Sequence, residues 1–296
     1  MTFFTFLDIF CKCGKKFLGL VNKGNVEKRV LVYVLVLSHY KFLIFIIMAR
    51  LNGLVKFEGT LDNLTFYKSA DGHFVRTKGG VSKNRIMNDP AFVRTRENGS
   101  EFGRSASSGK LLRDAVSSFV FKAKDSKLSS RLMKVMSDIK NQDLVSARGE
   151  RNVVEGLATA TGKSYLKGFD FNNRATMRSV FFSPITVDSG TGVITITDLK
   201  PTEQIRFPEG ATHFSLQSGF VNLDFETGAS DIAYSAVSNL PIDGAVSTIT
   251  LSPSGVPVGS GFEFVVLLIE FFQEVNGQQY ALNNGAYNVL NIVEVV

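Results

Sequence analysis

The run FEFVVLLIEFF, from Phe262 to Phe272, constrains the fold of this chain more than any other stretch. It is rich in the branched and aromatic residues that favour strands. A half-exposed strand alternates apolar and polar residues, whereas this run is apolar on both faces. It therefore predicts a strand that is covered on both faces, or one whose outer face meets a partner.

Further strand-like runs follow residue 180 and are separated by turn residues. They read SPITVD, GVITITDL, HFSLQSGFVNLDF, DIAYSAV, VSTITLSP and AYNVLNIVEVV. The tetrapeptide from Val275 to Gln278, V-N-G-Q, has the Asn-Gly pair of a two-residue hairpin. Seven or eight short strands at this spacing predict an antiparallel β-sandwich, immunoglobulin-like or jelly-roll.

The first half of the chain has a different pattern. Residues Leu54–Lys78 alternate and turn in a way that predicts a three-stranded meander, with Asp71-Gly72 as a hairpin signal. Asp89-Pro90 predicts a helix start, because Asp caps helices and Pro is tolerated in the first turn. A second helix is predicted behind Asp125-Ser126, with apolar positions at Leu128, Leu132, Val135 and Ile139.

These patterns predict an α+β protein in which an N-terminal β-meander with helices precedes a C-terminal antiparallel β-sandwich. The expected segments are an apolar extension at 1–47, a basic meander and helical module at 48–142, a polar connector at 143–179, and an acidic β-sandwich domain at 180–296. The chain of 296 residues is long enough for this organisation.

The N-terminal extension allows three interpretations: a membrane anchor, a coding start assigned too early, and a buried N-terminal element. Val30–Ile47 is an apolar run of the length of a marginal membrane span. Translation from Met48 predicts a cytoplasmic protein, whereas translation from Met1 predicts a membrane-anchored one. Both cysteines, Cys11 and Cys13, lie in the extension, and C-x-C alone makes neither a disulfide framework nor a zinc site.

The stretch GLATATGKSY, from Gly156 to Tyr165, resembles a phosphate-binding loop. That loop requires four residues between its glycines so that successive N–H groups converge on one phosphate. Here five residues separate Gly156 from Gly162, no buried strand precedes them, and Gly168 interrupts a following helix. The similar stretch GRSASSGK has the same wrong spacing. The sequence therefore argues against a nucleotide site.

Catalytic patterns are otherwise missing from the sequence. From Met48 onward the chain has two histidines, His73 and His213, and no cysteine. It contains no H-E-x-x-H or G-x-S-x-G motif from which a metal-site or nucleophile argument could start. The sequence predicts a protein that is not an enzyme and needs no cofactor or metal.

The segment from Arg76 to Arg104 is the most distinctive. Its seven cations are candidates for contact with an anion or a nucleic acid: Arg76, Lys78, Lys83, Arg85, Arg94, Arg96 and Arg104. Tyr67 or Phe74 on the predicted meander could stack on bases. The simpler interpretation is a solvated face with local ion pairs, since Asp89, Glu97 and Glu101 lie among the cations.

Charge is divided sharply along the chain. Residues 1–48 hold 7 Lys and Arg against 2 Asp and Glu, residues 49–183 hold 24 against 13, and residues 184–296 hold 2 against 12. These segments carry +5, +11 and −10. Oppositely charged regions attract within a subunit, or head to tail between subunits, which builds rings or filaments.

Residues 49–115 resemble an uncharacterised family of Bacteroidota proteins of about 250 residues. The resemblance is carried by ARLNG, GTLDNLTFYK, VRTKGGVSK, DPAF and RTREN. Members of that family begin near the position of Met48. The resemblance implies no activity and no functional residues.

Together these features favour a non-catalytic assembly or binding protein, including the structural proteins of mobile elements or virions, that acts through opposed basic and acidic surfaces. The expected partner is another protein or a second copy of the chain. The first alternative is a nucleic-acid-binding protein that uses residues 76–134. The second is a membrane-anchored surface protein, which requires translation from Met1.

Overall fold

The computed structural model describes residues 48–50, 56–77, 80–123 and 125–296. The apolar run at 30–47, both cysteines and the candidate contact residue Lys78 lie outside these ranges. The chain divides into two compact units, Met1–Val81 and Ser82–Val296. Each unit is described separately below.

The first unit contains a small antiparallel sheet. Its strands are β1 Met48–Arg50, β2 Gly59–Leu61, β3 Leu64–Ser69 and β4 Gly72–Thr77, in the order β1-β4-β3-β2. Strands β2 to β4 form the predicted meander, and β1 adds a fourth strand. The hairpin forms, but its turn lies one residue before the predicted Asp71-Gly72 pair: Ser69 pairs with Gly72, so Ala70 and Asp71 form the two-residue turn, and Gly72 opens β4 with a φ of 125°. This backbone conformation favours glycine because a Cβ would clash.

The second unit begins with a series of helices. They are α1 Lys83–Asn88, α2 Val93–Ala115, α3 Ser117–Lys122, α4 Leu128–Lys140, α5 Val153–Leu157, α6 Ala160–Leu166, α7 Met177–Val180 and α8 Pro201–Gln204. A 3₁₀ turn, Pro90–Phe92, leads into α2, and Asp89 Oδ1 accepts from the Ala91 amide over 2.9 Å. The predicted helix start at Asp89-Pro90 is therefore confirmed. The predicted second helix is α4, with Leu128, Leu132 and Ile139 buried.

The strands of the second unit form two antiparallel sheets. They are β5 Ile185–Val187, β6 Ile194–Leu199, β7 His213–Leu223, β8 Ser230–Tyr234, β9 Ser238–Pro241, β10 Ser247–Leu251, β11 Phe262–Val275, β12 Gln278–Ala281 and β13 Val289–Val295. One sheet has the order β10-β6-β5. The other has the order β12-β11-β7-β8, with β13 also paired to β11 and β9 also paired to β7. The Asn276-Gly277 hairpin is confirmed, with φ of 53° and 75° at its two turn residues.

Strand β11 is covered on both faces, as its sequence predicts. Phe264, Val266 and Leu268 face a core shared with α2 to α6 and β13. Val265, Leu267, Ile269 and Phe271 face a second core shared with the three-stranded sheet and α7. All seven side chains are buried. The second unit therefore has three layers: helices, a six-stranded sheet and a three-stranded sheet.

This layering differs from the predicted segment boundaries. The helices share a core with the C-terminal strands, and the division between the units falls after Val81 rather than after residue 142. The segment expected to be a polar connector places Val153, Leu157, Leu166 and Phe171 in the first core. The few apolar residues of this segment lie on two short helices and a loop that bury them. The overall composition of the segment is polar and does not reveal this spacing.

The coarse fold class is confirmed, because helices combine with sheets whose pairs are all antiparallel. In the described part of the chain, no helix has both the length and the apolar character needed to cross a membrane.

Candidate functional site

The G-K-S motif belongs to two short helices that pack closely on α4. A Cβ on Gly156 of α5 would lie 2.2 Å from the carbonyl oxygen of Ile139 on α4. A Cβ on Gly162 of α6 would lie 1.9 Å from the carbonyl oxygen of Gly156. Both positions therefore require glycine for helix packing. Helix packing therefore accounts for the two glycines, and no phosphate-binding role is needed to explain them.

Two hydroxyl groups of the stretch, those of Thr159 and Ser164, are also engaged within the chain. Thr159 caps α6, and its Oγ1 accepts from the Gly162 amide over 3.0 Å while donating to the Gly156 carbonyl over 2.7 Å. Ser164 Oγ donates to the Thr161 carbonyl over 2.7 Å. A phosphate loop leaves such donors free for its ligand. The hydrogen bonds agree with the argument from spacing against a nucleotide site.

Arg76, the first of the seven candidate contact residues, lies on β4 of the first unit. Its guanidinium lies 5.4 Å from the ring centroid of Tyr67. Tyr67 pairs with Phe74 across strands β3 and β4, and their rings stack with centroids 5.9 Å apart. The structure thus brings together one predicted cation and both predicted stacking residues.

The other described candidates lie on α1 and α2 of the second unit, and most of them are engaged locally. Arg85 Nε lies 3.1 Å from Asp89 Oδ2, and Arg94 Nη1 lies 3.1 Å from Glu97 Oε2. These pairs are the local ion pairs of the simpler interpretation.

Two further arginines of this set hold the backbone. Arg96 Nη1 donates to the carbonyls of Ile86 over 2.7 Å and Asp89 over 3.1 Å, which satisfies the end of α1. Arg104 donates to the carbonyl of Glu150. Lys83 is exposed on α1. The segment therefore provides structural contacts as well as positive charge.

A buried ion pair within the helical layer was not expected from the sequence. Glu101 on α2 is 5% exposed and Lys140 on α4 is 8% exposed, with Lys140 Nζ 2.6 Å from Glu101 Oε2. The Gly149 amide donates to Glu101 Oε1 over 2.8 Å. Burial acts to raise the pKa of Glu101, but the hydrogen bonds from Lys140 and Gly149 outweigh it, and the pKa lies below its usual value.

Asp125 joins the start of α4 to the loop after α6. Its carboxylate accepts from the amide of Lys127 over 2.6 Å, from Arg131 Nη2 over 2.6 Å and from the amide of Asn173 over 2.8 Å. Burial acts against the charged form, but these donors lower the pKa of Asp125. In the sequence, only the local contact between Asp125 and the amide two residues later could be expected. Asp makes such contacts so often that the pattern does not point to Arg131 or Asn173 as further partners.

Charges of the helices and of the strands pair across the layers at two places. Lys122 Nζ on α3 lies 2.9 Å from Glu270 Oε2 on β11, and Lys167 Nζ after α6 lies 2.6 Å from Glu294 Oε2 on β13. Attraction within one subunit, one of the two outcomes expected from the charge division, is thus realised at these pairs. Most of the charge on both layers is not used in this way.

The charge division coincides with the layers of the second unit. Residues 82–166, which form α1 to α6, hold 16 Lys and Arg against 9 Asp and Glu, a net charge of +7. Residues 184–296, which form the strands and α8, hold 2 against 12, a net charge of −10. Helices α2 to α6 share the core on one face of the six-stranded sheet, whereas α7 and the three-stranded sheet share the core on the other. Most basic residues are therefore separated in space from the acidic strands, while Arg174 and Arg178, beside and on α7, lie on the acidic side.

A cavity of 340 Å³ lies beside α7 in the second unit. It is lined by Arg174, Arg206, Phe207 and Tyr287 together with buried apolar side chains. Sequence reasoning missed this site because its two arginines are 32 positions apart and belong to unremarkable segments.

Within the described ranges, no group of three or more His, Cys, Asp or Glu side chains is placed to hold a metal ion. No protein-family model matches the chain, and comparisons with curated proteins and with solved structures give no match either.

Proposed function

We propose that the protein is a non-catalytic assembly protein that associates head to tail, the basic helical layer of one copy meeting the acidic strand layer of the next. The observation that carries this proposal is the separation of the basic helices α1 to α6, with a net charge of +7 over residues 82–166, from the acidic strands, with −10 over residues 184–296. Opposite charges on different surfaces make a heterologous contact, which closes into a ring or extends as a filament. A structural protein of a mobile element or a virion is one role that such an assembly would serve.

The test uses light scattering of the full chain at about 50 mM and about 1 M salt, because salt at the higher level screens charges beyond about 3 Å. We expect larger species at low salt and monomers at high salt. A monomer under both conditions contradicts the proposal.

Charge-reversal variants identify the surfaces. Lys110→Glu with Lys134→Glu alters two exposed helical positions, and Glu203→Lys with Asp243→Lys alters two exposed positions on the acidic side. Each double variant should associate more weakly at low salt, whereas a mixture of the two should regain association. Association that is indifferent to both reversals contradicts the proposal. Lys110→Arg with Lys134→Arg is the matched control, since it keeps the charge.

Nucleic-acid binding is the second candidate, and one observation favours it. Arg76, Tyr67 and Phe74 lie together on the meander, and an arginine beside stacked rings suits unpaired bases. Filter binding of a single-stranded oligonucleotide should weaken steeply with salt, and Arg76→Gln should reduce the slope by about 1. Unchanged binding in Arg76→Gln contradicts this role, and Arg148→Gln is the control for one lost charge.

Two finer assignments are also proposals. The two sheets of the second unit face each other across a core, which supports an immunoglobulin-like or jelly-roll origin for the strands. The residues at 49–115 support membership in the Bacteroidota family that they resemble. An experimental structure of a family member tests both assignments. A separate observation bears on the assembly role: mobile-element or virion genes beside the coding gene would support it.

A further inference from the structure

We propose that the cavity beside α7 binds a small organic anion, a carboxylate joined to an apolar or aromatic body. The proposal does not rest on the assembly function, because the site belongs to one copy of the chain. Its support comes from unpaired cations, an apolar floor and walls that are fixed by buried hydrogen bonds.

Two guanidinium groups supply the charge. Residues 184–296 contain only Lys200 and Arg206 as cations, and Lys200 pairs with Glu203. The side chains of Arg206 and Arg174 have no hydrogen-bond or ion-pair partner among the described residues. Both line the same cavity. The planar fork of arginine matches the two oxygens of a carboxylate, so this pair suits an anionic head group.

The floor of the cavity is apolar. Phe271 is 1% exposed, and Ala175 and Val180 are also buried. The rings of Phe207 and Tyr287 stand at the rim and remain 39% and 45% exposed. An apolar lining with a few polar groups is the usual composition of a small-molecule site. The exposed rings would bury their faces against an apolar ligand body.

One wall is held by Asn172, whose side chain is fully buried. Its Nδ2 donates to the carbonyls of Ala286 over 3.1 Å and Asn288 over 2.8 Å, while its Oδ1 accepts from the Arg174 amide over 3.0 Å. The backbone that carries Arg174 is thereby tied to the loop that carries Tyr287.

The other wall is held by backbone hydrogen bonds. The Arg206 amide donates to the Val180 carbonyl over 2.7 Å, and the Phe182 amide donates to the Gln204 carbonyl over 2.9 Å. Arg206 is thus positioned against α7. The backbone of both walls is therefore fixed before a ligand arrives, and the ordering cost of binding falls mainly on the two exposed arginine side chains.

The size of the cavity limits the ligand. A volume of 340 Å³ is at the lower end for sites of drug-sized molecules. It suits a phenylpropionate or an octanoate better than a nucleotide. Inorganic phosphate and acetate would satisfy the arginines but leave the apolar floor empty.

The test is calorimetric titration of the full chain with 3-phenylpropionate, with acetate, inorganic phosphate and the neutral 3-phenylpropanol as comparison ligands. We expect one phenylpropionate per protomer and weaker binding of the three others. Arg174→Gln and Arg206→Gln should each weaken phenylpropionate binding about tenfold, since each removes a charge-assisted hydrogen bond. Arg178→Gln, a neighbouring exposed arginine that does not line the cavity, should change it less than about twofold.

Wild-type protein that does not bind phenylpropionate at millimolar concentration overturns the proposal. So does acetate or phenylpropanol binding as tightly, or equal binding by wild type, Arg174→Gln and Arg206→Gln. Both arginines are exposed, and thermal unfolding of the variants checks that they fold. Repeating the titration with the double variant Lys110→Glu with Lys134→Glu, in which head-to-tail association should be weakened, separates failure of this site from failure of the assembly proposal.

Discussion

At the scale of single residues, Glu101 and Lys140 show how a buried charge depends on its partner. We expect Lys140→Met to lower the free energy of unfolding by about 3–5 kcal/mol, because it leaves the Glu101 carboxylate buried without its cation. The double variant Glu101→Gln with Lys140→Met should lose much less. Urea unfolding measures both.

Lys134→Met is the control on the same helix, since Lys134 is exposed, and it should change stability by less than about 0.5 kcal/mol. A double variant that is as unstable as Lys140→Met would show that the unpaired charge of Glu101 is not the cause of the loss of stability.

Asp170 predicts a pH dependence of stability. Burial raises its pKa above the usual value, although the Met177 amide and Asn291 Nδ2 donate to its Oδ1. When the pKa of an acid is higher in the folded state than in the unfolded state, its neutral form favours folding. Its contribution to the free energy of unfolding is fully present below the unfolded pKa and is lost as the pH rises through the folded pKa. We therefore expect Asp170→Asn, which keeps the Oδ1 acceptor, to be more stable than wild type at pH 7. The gain should vanish near about pH 3.

The control for Asp170 is Asp188, which lies in the turn between β5 and β6. A hydrogen bond from Thr191 Oγ1, with one from the Gly190 amide, lowers the pKa of Asp188. The sign is then reversed: its contribution is present above the unfolded pKa and is lost as the pH falls through the folded pKa. Asp188→Asn should lose stability at pH 7. If Asp170→Asn also loses stability at pH 7, the sign assigned to Asp170 is wrong.

At the scale of elements, glycines distinguish close helix contacts from open helix faces. Gly156→Ala should destabilise the protein by about 1–3 kcal/mol, because the added Cβ would meet the Ile139 carbonyl at 2.2 Å. Gly99 and Gly103 lie within α2, and a Cβ added at either position would have no neighbour within 4 Å. Gly99→Ala and Gly103→Ala should therefore each raise the free energy of unfolding by about 0.5–1 kcal/mol. Thermal unfolding of the three variants measures this. A neutral Gly156→Ala would mean that α5 is free to move away from α4.

Elements were predictable where local chemistry decides them. The Asn276-Gly277 turn and the Asp89-Pro90 helix start follow from backbone conformations that few residues favour. The continuation of α2 through Gly99, Gly103 and Gly109 was not predictable, because each glycine lowers the helix propensity by about 1 kcal/mol relative to alanine. Burial of Ser105, Ser108 and Leu112 against the rest of the helical layer outweighs that propensity.

At the scale of the whole molecule, the residues of both cores of the second unit lie at Leu112 and beyond. We therefore expect a chain that begins at Ser82 to fold alone, with a melting temperature within about 3 °C of the full chain. Circular dichroism during heating measures this. Loss of the cooperative transition would show that the cores depend on residues before Ser82.

The candidate sites also differ in how far the sequence alone could identify them. The cations of α1 and α2 were identifiable by sequence because they lie close together in the chain, but only the structure shows that Arg96 and Arg104 hold backbone carbonyls. The Arg174 and Arg206 cavity was not identifiable, since nothing local distinguishes either arginine. Their proximity depends on the bridge between Phe181 and Ile205 and on the contacts of Asn172.

The sequence by itself determined the turns, the main helices, the strand that is buried on both faces and the division of charge along the chain. Each of these depends on residues near one another, whose dihedral preferences and hydrophobic periodicity act locally. Only the tertiary structure decided that helices α2 to α6 cover one face of the six-stranded sheet, which partners the buried charges have and where a cavity forms. Those outcomes depend on which distant surfaces bury each other, and packing rather than local preference selects them.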